Sequence, residues 1–161
     1  METVELSPRK EHGTERGARR AAVVVWMRLA RVYHKIDRAT AEHLRAHDLS
    51  VAQFDVLAQV GAREGITQKE LAAALLVTKG NVCQLLDRME ARGLVERRPA
   101  RFGRGNHLYL TEAGRGLRNS AVPAQEDLVA GRFAALSPAE QQQLLDLLRK
   151  LDRSLDRPTE E

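Results

Sequence analysis

Apolar residues spaced alternately four and three apart mark the first regular element of the chain. Ala22, Trp26, Leu29, Tyr33, Ile36, Thr40 and Leu44 fall on one stripe, the signature of an amphipathic helix. The pattern predicts a helix starting near Ala18 and running for about thirty residues, long for a small domain. Before it, residues 1–17 are charged and aperiodic, and are expected to form a flexible arm. "LSVAQ" restarts the helical pattern, with Ser50 and Gln53 placed as a capping box and Phe54, Leu57 and Ala58 as the buried side. Gly61 and Gly65 are expected to loosen the chain after it. "ITQKELAAALL" opens on a second capping box, Thr67 with Glu70, with Ile66 positioned to staple onto Leu71. Leu71, Ala74 and Leu75 are its expected stripe. Val77 and Thr78 then make a tight turn, and Thr78 caps the next helix.

That next helix, in "VTKGNVCQLLDRMEARGLVERR", carries Val82, Leu85, Leu86 and Met89 at i, i+3, i+4 and i+7. Gly93 suits its C-terminal cap. At 100° per residue, Gly80, Gln84, Asp87 and Arg88 lie opposite the apolar stripe, with Asn81 on its flank. Two short strands follow, Leu94–Arg98 and His107–Leu110, joined by the turn-forming "PARFGRGN". Thr111 caps a fifth helix that contains Pro123, expected as a kink. Ser137, Pro138 and Glu140 start a sixth, whose Leu144, Leu145, Leu148, Leu151 and Leu155 need a partner surface. The fold class is therefore mainly α with a small β-hairpin: two short capped helices, a tight turn, then a basic hairpin. This is a winged helix-turn-helix, flanked by longer helices.

Composition narrows the chemistry. Only 4% of the 161 residues are aromatic, so Leu, Ala and Val must build the core. Cys83 is the sole cysteine, which excludes an internal disulfide and suits a reducing, cytoplasmic setting. The apolar run "AAVVVWM" ends at Arg28 with no cleavage pattern after it, and is expected to be helix rather than leader or membrane span. Charge is concentrated. Residues 67–110 hold eight Lys and Arg against four acids, while the rest of the chain balances 18 of each. The whole excess of +4 thus lies in the helix-turn-helix and hairpin, the footprint expected of a polyanion partner.

A helix N-terminus bearing small residues can approach base edges in a major groove, and its dipole favours the neighbouring phosphates. Gln84 and Asn81 have the donor–acceptor pair that matches adenine, and Arg88 or Lys79 suits guanine. A hairpin tip with Arg101 and Arg104 can enter an adjacent minor groove. The expected contacts to double-stranded DNA are Gln68, Thr78, Lys79, Gly80, Asn81, Gln84, Arg88, Arg98, Arg101 and Arg104. Arg97 and Arg98 each stand between a DNA role and a solvated strand face. Asp87 is expected to pair with Arg88 or to orient a wing arginine rather than to read a base.

"VTKGNVCQLLDRMEARGLVERR…LYLTEAGRGL" resembles the winged helix of the MarR family of multiple antibiotic resistance regulators, over roughly residues 50–117. The resemblance implies a homodimer with the first and the last two helices interlocked, bound to a pseudo-palindromic operator. It further implies a repressor released by a small, often phenolic ligand near the junction of stem and DNA-binding lobe. The domain plan is then a 1–17 arm, a dimerisation region of 18–48 and 112–157, and a DNA-binding domain of 49–111. The wing departs from the family pattern. The usual Asp-x-Arg is Phe102-Gly103-Arg104, which keeps the arginine and lacks its acidic partner, in a hairpin about one residue shorter.

Trp26, Tyr33, His43, His47 and Phe54 are the expected walls of an effector pocket. His43 and His47 are at metal-sharing spacing, but with no third ligand no metal site is expected. Cys83 offers an alternative, thiol-based redox sensing, although its place beside the buried stripe suits an inert packed thiol. The family's peroxide-sensing branch carries its cysteine near the start of the first helix, where this chain has none. No nucleophile–base pair, phosphate loop or paired buried carboxylates occur, so neither an enzyme nor a cofactor is expected. A winged helix that docks protein instead of DNA is the other alternative, separable by the salt dependence of binding.

Overall fold

A computed structural model describes residues 11–99 and 105–156. Six α-helices and three short strands follow in the order α1 (Glu11–Leu44), α2 (Val51–Ala62), β1 (Ile66–Thr67), α3 (Gln68–Ala74), α4 (Lys79–Ala91), β2 (Val95–Pro99), β3 (Asn106–Leu110), α5 (Glu112–Phe133) and α6 (Pro138–Leu155). A short 3-10 turn, Arg45–His47, separates α1 from α2. The chain divides into two compact units between Ala39 and Thr40.

In the first unit α1 begins at Glu11, seven residues before the predicted start. Residues 11–17 are therefore helix rather than arm; residues 1–10 lie outside the described residues. The apolar positions of α1 are largely uncovered, with Val23, Val24, Val25, Trp26 and Met27 all more than half exposed.

The second unit holds the core, built mainly of Leu and Val. Val56, Leu57 and Val60 of α2, Leu71 of α3, Val82, Leu86 and Met89 of α4, and Leu108 and Leu110 of β3 are completely buried. Burying each such side chain contributes roughly 1.5–3 kcal/mol relative to leaving it in water. Two expected stripes shift. In α2 the buried side is Val56, Leu57 and Val60, while Phe54 and Ala58 are half-buried. In α3 Ala72 is buried and Ala74 exposed, because the side packed on the core is Leu71, Ala72 and Leu75, at i, i+1 and i+4.

The hairpin is as expected, with the first strand displaced by one residue and the second starting one residue earlier. It gains a partner, because β1 pairs antiparallel with β3 and gives the order β1-β3-β2. Gly61 does not loosen the chain. It lies inside α2, where a Cβ would run into the side chain of Arg118 on α5, so it permits close helix packing. Gly65, at φ +86°, does make the turn into β1.

All the predicted N-caps form. Ser50, Thr67 and Ser137 close reciprocal capping boxes with Gln53, Glu70 and Glu140. Thr78 and Thr111 accept from the amides of Asn81 and Gly114. The fifth helix runs through Pro123. Leu144 is half-buried, while Leu145, Leu147, Leu148, Leu151 and Leu155 of α6 remain uncovered, from Leu148 at 39% exposed to Leu155 at 74%.

Candidate nucleic-acid interface

The site is assembled from two helix ends of the same kind. At the end of α3 the Leu76 amide donates to the Ala73 carbonyl (3.2 Å) and the Val77 amide to that of Ala72 (3.1 Å). At the end of α4, Gly93 donates to Glu90 (2.8 Å) and Leu94 to Met89 (2.9 Å). Both are Schellman closures, which need a left-handed residue just past the helix. At the second that residue is Gly93 (φ +66°), but at the first it is Leu76 (φ +53°), 93% exposed. The first closure turns the chain into Thr78, whose hydroxyl accepts from the Asn81 amide at 3.3 Å. With its N-terminus fixed, α4 leaves Lys79, Gly80, Asn81, Gln84, Asp87 and Arg88 exposed.

Three faces of α4 have different surroundings. Val82, Leu86 and Met89 enter the core. Asn81, Gln84 and Arg88 border a hollow closed by Ala52 and Asp55 of α2 and by Leu75 and Val77. Cys83, Asp87 and Glu90 face the hairpin, where Arg97 meets them. The Arg97 Nη2 donates to Asp87 Oδ1 at 2.7 Å and to the Cys83 carbonyl at 3.2 Å, Nη1 pairs with Glu90, and the Arg97 amide donates to Glu90 Oε1 at 2.9 Å. Burial alone would weaken the guanidinium charge. The hydrogen bond to Asp87 and the charges of Glu90 and Asp87 outweigh that, so its pKa rises above the ordinary arginine value. Arg97 is thus neither a solvated strand residue nor an open DNA contact. Asp87 orients a wing arginine, one of its two expected roles.

Arg98 points to the other face of the sheet. It pairs with Glu96, and its guanidinium carbon lies 4.3 Å from the ring centroid of Tyr109, within cation–π range. Across the strand, His107 Nδ1 lies 2.6 Å from the Gly65 carbonyl, which ties β3 to the turn before β1. Gln68 starts α3, half-buried, beside the Thr67–Glu70 box. In that box the Thr67 amide and hydroxyl donate to Glu70, and Arg63 adds a 2.6 Å ion pair. Together they lower the Glu70 pKa to about 2, the backbone hydrogen bond being the main cause. Arg101 and Arg104, predicted at the wing tip, lie outside the described residues.

The "GLVERR…LTEAG" motif has a physical basis. The Thr111 hydroxyl donates to the Gly93 carbonyl at 2.6 Å and accepts from the Gly114 amide at 3.0 Å. A Cβ on Gly114 would collide with the Leu94 carbonyl. The start of α5 is therefore seated on the turn between α4 and the wing.

Of the residues expected to wall an effector pocket, His43 and His47 have rings with centroids 5.5 Å apart, and His43 Nε2 is buried without a hydrogen-bond partner. Among the described residues no third metal-ligating side chain joins them. Phe54 lines an open groove of about 800 Å³ with Val129 and Phe133 of α5 and Leu145 of α6, which neither histidine borders. Gln125, which carried no signal in the sequence, also lines it. Its Nε2 donates to Thr40 at 2.8 Å and its Oε1 is buried without a partner. Trp26 lines a shallow hollow on α1 with Met27 and Arg38, and Tyr33 is 62% exposed, edge-on to His34. The Cys83 residue is half-buried.

Comparison with known proteins gives the family and the fold. The MarR family pattern matches residues 47–104. An uncharacterized HTH-type transcriptional regulator of Bacillus cereus is 32% identical over 131 residues, covering 81% of this chain and 88% of that protein. A cysteine-to-serine mutant of MarR from E. coli, solved in complex with operator DNA, superposes with a TM-score of 0.75 at 29% identity, over 81% of this chain and 95% of that one. AbsC from Streptomyces coelicolor, a MarR family regulator, shares the fold at a TM-score of 0.78 and 23% identity, over 82% and 92% of the two chains.

Proposed function

Because this chain belongs to the MarR family of DNA-binding transcriptional regulators, we propose that it acts as a two-fold dimeric repressor on a pseudo-palindromic operator and is released by a small ligand. The exposed face of α4 carries the reading. Thr78 fixes the helix start, Gly80 leaves it sterically bare, and Gln84 and Arg88 stand free of the core. In this reading α4 enters the major groove, with Gln84 and Asn81 suited to adenine and Arg88 to guanine. Lys79, Thr78 and Gln68 meet phosphate, while Arg98 and the wing tip meet the flanking minor groove.

The dimer is supported by two uncovered apolar surfaces, Val23–Met27 on α1 and Leu145–Leu155 on α6, each expensive to leave in water. A two-fold axis would set the two α4 helices about 34 Å apart, one helical turn of DNA. The effector reading is supported by the apolar groove that Phe54 lines with Val129, Phe133 and Leu145. An aromatic molecule suits that lining. Because effector and operator would favour different spacings, each weakens the other by the same factor.

The test is selection of duplexes by the full chain, then affinities of wild type and Gln84→Ala on the selected site and its single-base variants. Gln84→Ala is expected to lose about 1–3 kcal/mol and to relax preference at one base pair per half-site. Unchanged affinity and preference would refute the assignment of Gln84. Binding independent of salt would refute a polyanion partner.

A further inference from the structure

We propose that Arg97 is a positioning residue for DNA reading, locking the wing to the recognition helix as one rigid body without itself touching DNA. The proposal rests on the DNA-reading role of α4 and the wing. The two terminal nitrogens of Arg97 make three bonds to α4, while Nε is buried without a partner. Cys83, Asp87 and Glu90 lie at i, i+4 and i+7 on α4, one flank of the helix over about 10 Å of its length. A single side chain from β2 bonds to all three: the Cys83 carbonyl at 3.2 Å, Asp87 at 2.7 Å, and Glu90. The Arg97 amide adds a second bond to Glu90 at 2.9 Å, so main chain and side chain are both tied.

The sheet register explains why this rung matters. Arg97 pairs with Leu108 on β3, and Leu108 pairs in turn with Ile66 on β1. One edge of the hairpin is thus held by a strand at the same level at which Arg97 holds the other edge to α4. Leu108 is completely buried and the Arg97 side chain is only 16% exposed. A phosphate could reach that guanidinium only after the Asp87 and Glu90 pairs broke. Arg98, one residue on and facing the opposite way, is the open one, with its side chain 56% exposed. The guanidinium fork supplies the divergent donors that the three acceptors require, and an ammonium cannot reproduce it.

The experiment uses the full chain on a duplex that it has itself selected, with hydroxyl-radical protection and affinity measured across a salt series. Three proteins are compared: wild type, Arg97→Lys, and the double variant Asp87→Asn/Glu90→Gln. Both variants are expected to keep the protections at the groove read by α4. They should lose those flanking it, with affinity falling by about tenfold. The double variant is decisive because it removes two negative charges beside a polyanion. Electrostatics alone predicts tighter binding from it, and positioning predicts lost flanks. Wild-type protections in Arg97→Lys, or equal or tighter binding with intact flanks in the double variant, would overturn the proposal. Should Arg97→Lys fail to fold, the double variant alone decides. Failure of wild type to select any duplex would instead count against the DNA reading beneath it.

Discussion

Leu76→Gly should stabilise this protein, although it deletes a large apolar side chain. Leu76 occupies the left-handed position that closes α3, at φ +53°, and it is 93% exposed. An L-residue there carries about 1–2 kcal/mol of steric strain that glycine does not. Glycine gives back about 0.5–1 kcal/mol through the entropy of the unfolded chain. With so little of the side chain buried, lost packing amounts to a few tenths of a kcal/mol at about 25 cal/mol per Å². The balance favours glycine by about 0.5 kcal/mol, or about 1–2 °C in Tm for a chain of this size. Gly93 offers the mirror experiment, since it sits at the same position of α4 (φ +66°) and an added Cβ there would meet nothing within 4 Å. Gly93→Ala should therefore cost about 0.5–1 kcal/mol by conformation alone. Calorimetry of both variants at one protein concentration reads the pair. A Leu76→Gly protein that melts below wild type while Gly93→Ala behaves as expected would show that Leu76 is covered in the assembled protein, and the strain argument would fail.

Gly114→Ala should cost about 3 kcal/mol, because its Cβ meets the Leu94 backbone rather than a side chain that can turn away; the urea midpoint should fall with m unchanged. Glu70 is held near pKa 2 in the folded chain against an ordinary 4.5. Its contribution is therefore complete above about pH 4.5 and lost as pH falls towards 2. Wild type should lose stability relative to Glu70→Gln across that window, and parallel curves would show that the box contributes nothing through ionisation. Leu148→Glu/Leu151→Glu, on the uncovered face of α6, should shift a sedimenting dimer towards monomer or unfolded chain. A wild type that sediments as a folded monomer at micromolar concentration would refute the dimer outright.

What was legible in the sequence is chemistry that acts over three or four residues. Ser50 with Gln53, Thr67 with Glu70 and Ser137 with Glu140 are capping boxes whatever surrounds them, and each forms. The buried stripe of α4 and its polar opposite face follow from helical geometry, so the predicted interface residues Gly80, Gln84 and Arg88 are exposed together. What escaped depends on distant partners. Ile66 and Thr67 read as a staple and a cap, yet they are also a strand, because Leu108 and His107 lie opposite them. Gln125 gave no signal because its partner, Thr40, is 85 residues away. Leu76 hid a left-handed residue where composition suggested ordinary helix. Arg97 could have been suspected from the acids at 87 and 90 facing one side of α4, but only the hairpin's register brings it there.

The basic excess of residues 67–110 consequently overstates the charge offered to DNA. Among the described residues three of its cations, Arg92, Arg97 and Arg98, are paired within the fold. Arg97 serves Asp87 and Glu90, and Arg92 reaches back to Asp48 at 3.0 Å and Gln53 at 3.3 Å, anchoring the end of α4 to the start of α2. Arg98 is shared between Glu96 and the face of Tyr109. Arg92 and Arg97 hold α4 at its end and along one flank, and that sets the angle at which Gln84 and Arg88 are presented. Fixing that angle before DNA arrives removes an ordering cost that binding would otherwise carry. A regulator with mild net charge can then draw specificity from a few well-held side chains. In the function proposed above the same contacts would suit a switch, because displacing the start of α2 would pull on the end of α4 that Arg92 ties to it. Asp48 and Gln53, the anchors of Arg92, lie at that start, next to the His43–His47 pair. A displacement there would have a route to Gln84 and Arg88, the readers proposed for DNA, and a loosely held helix would absorb it.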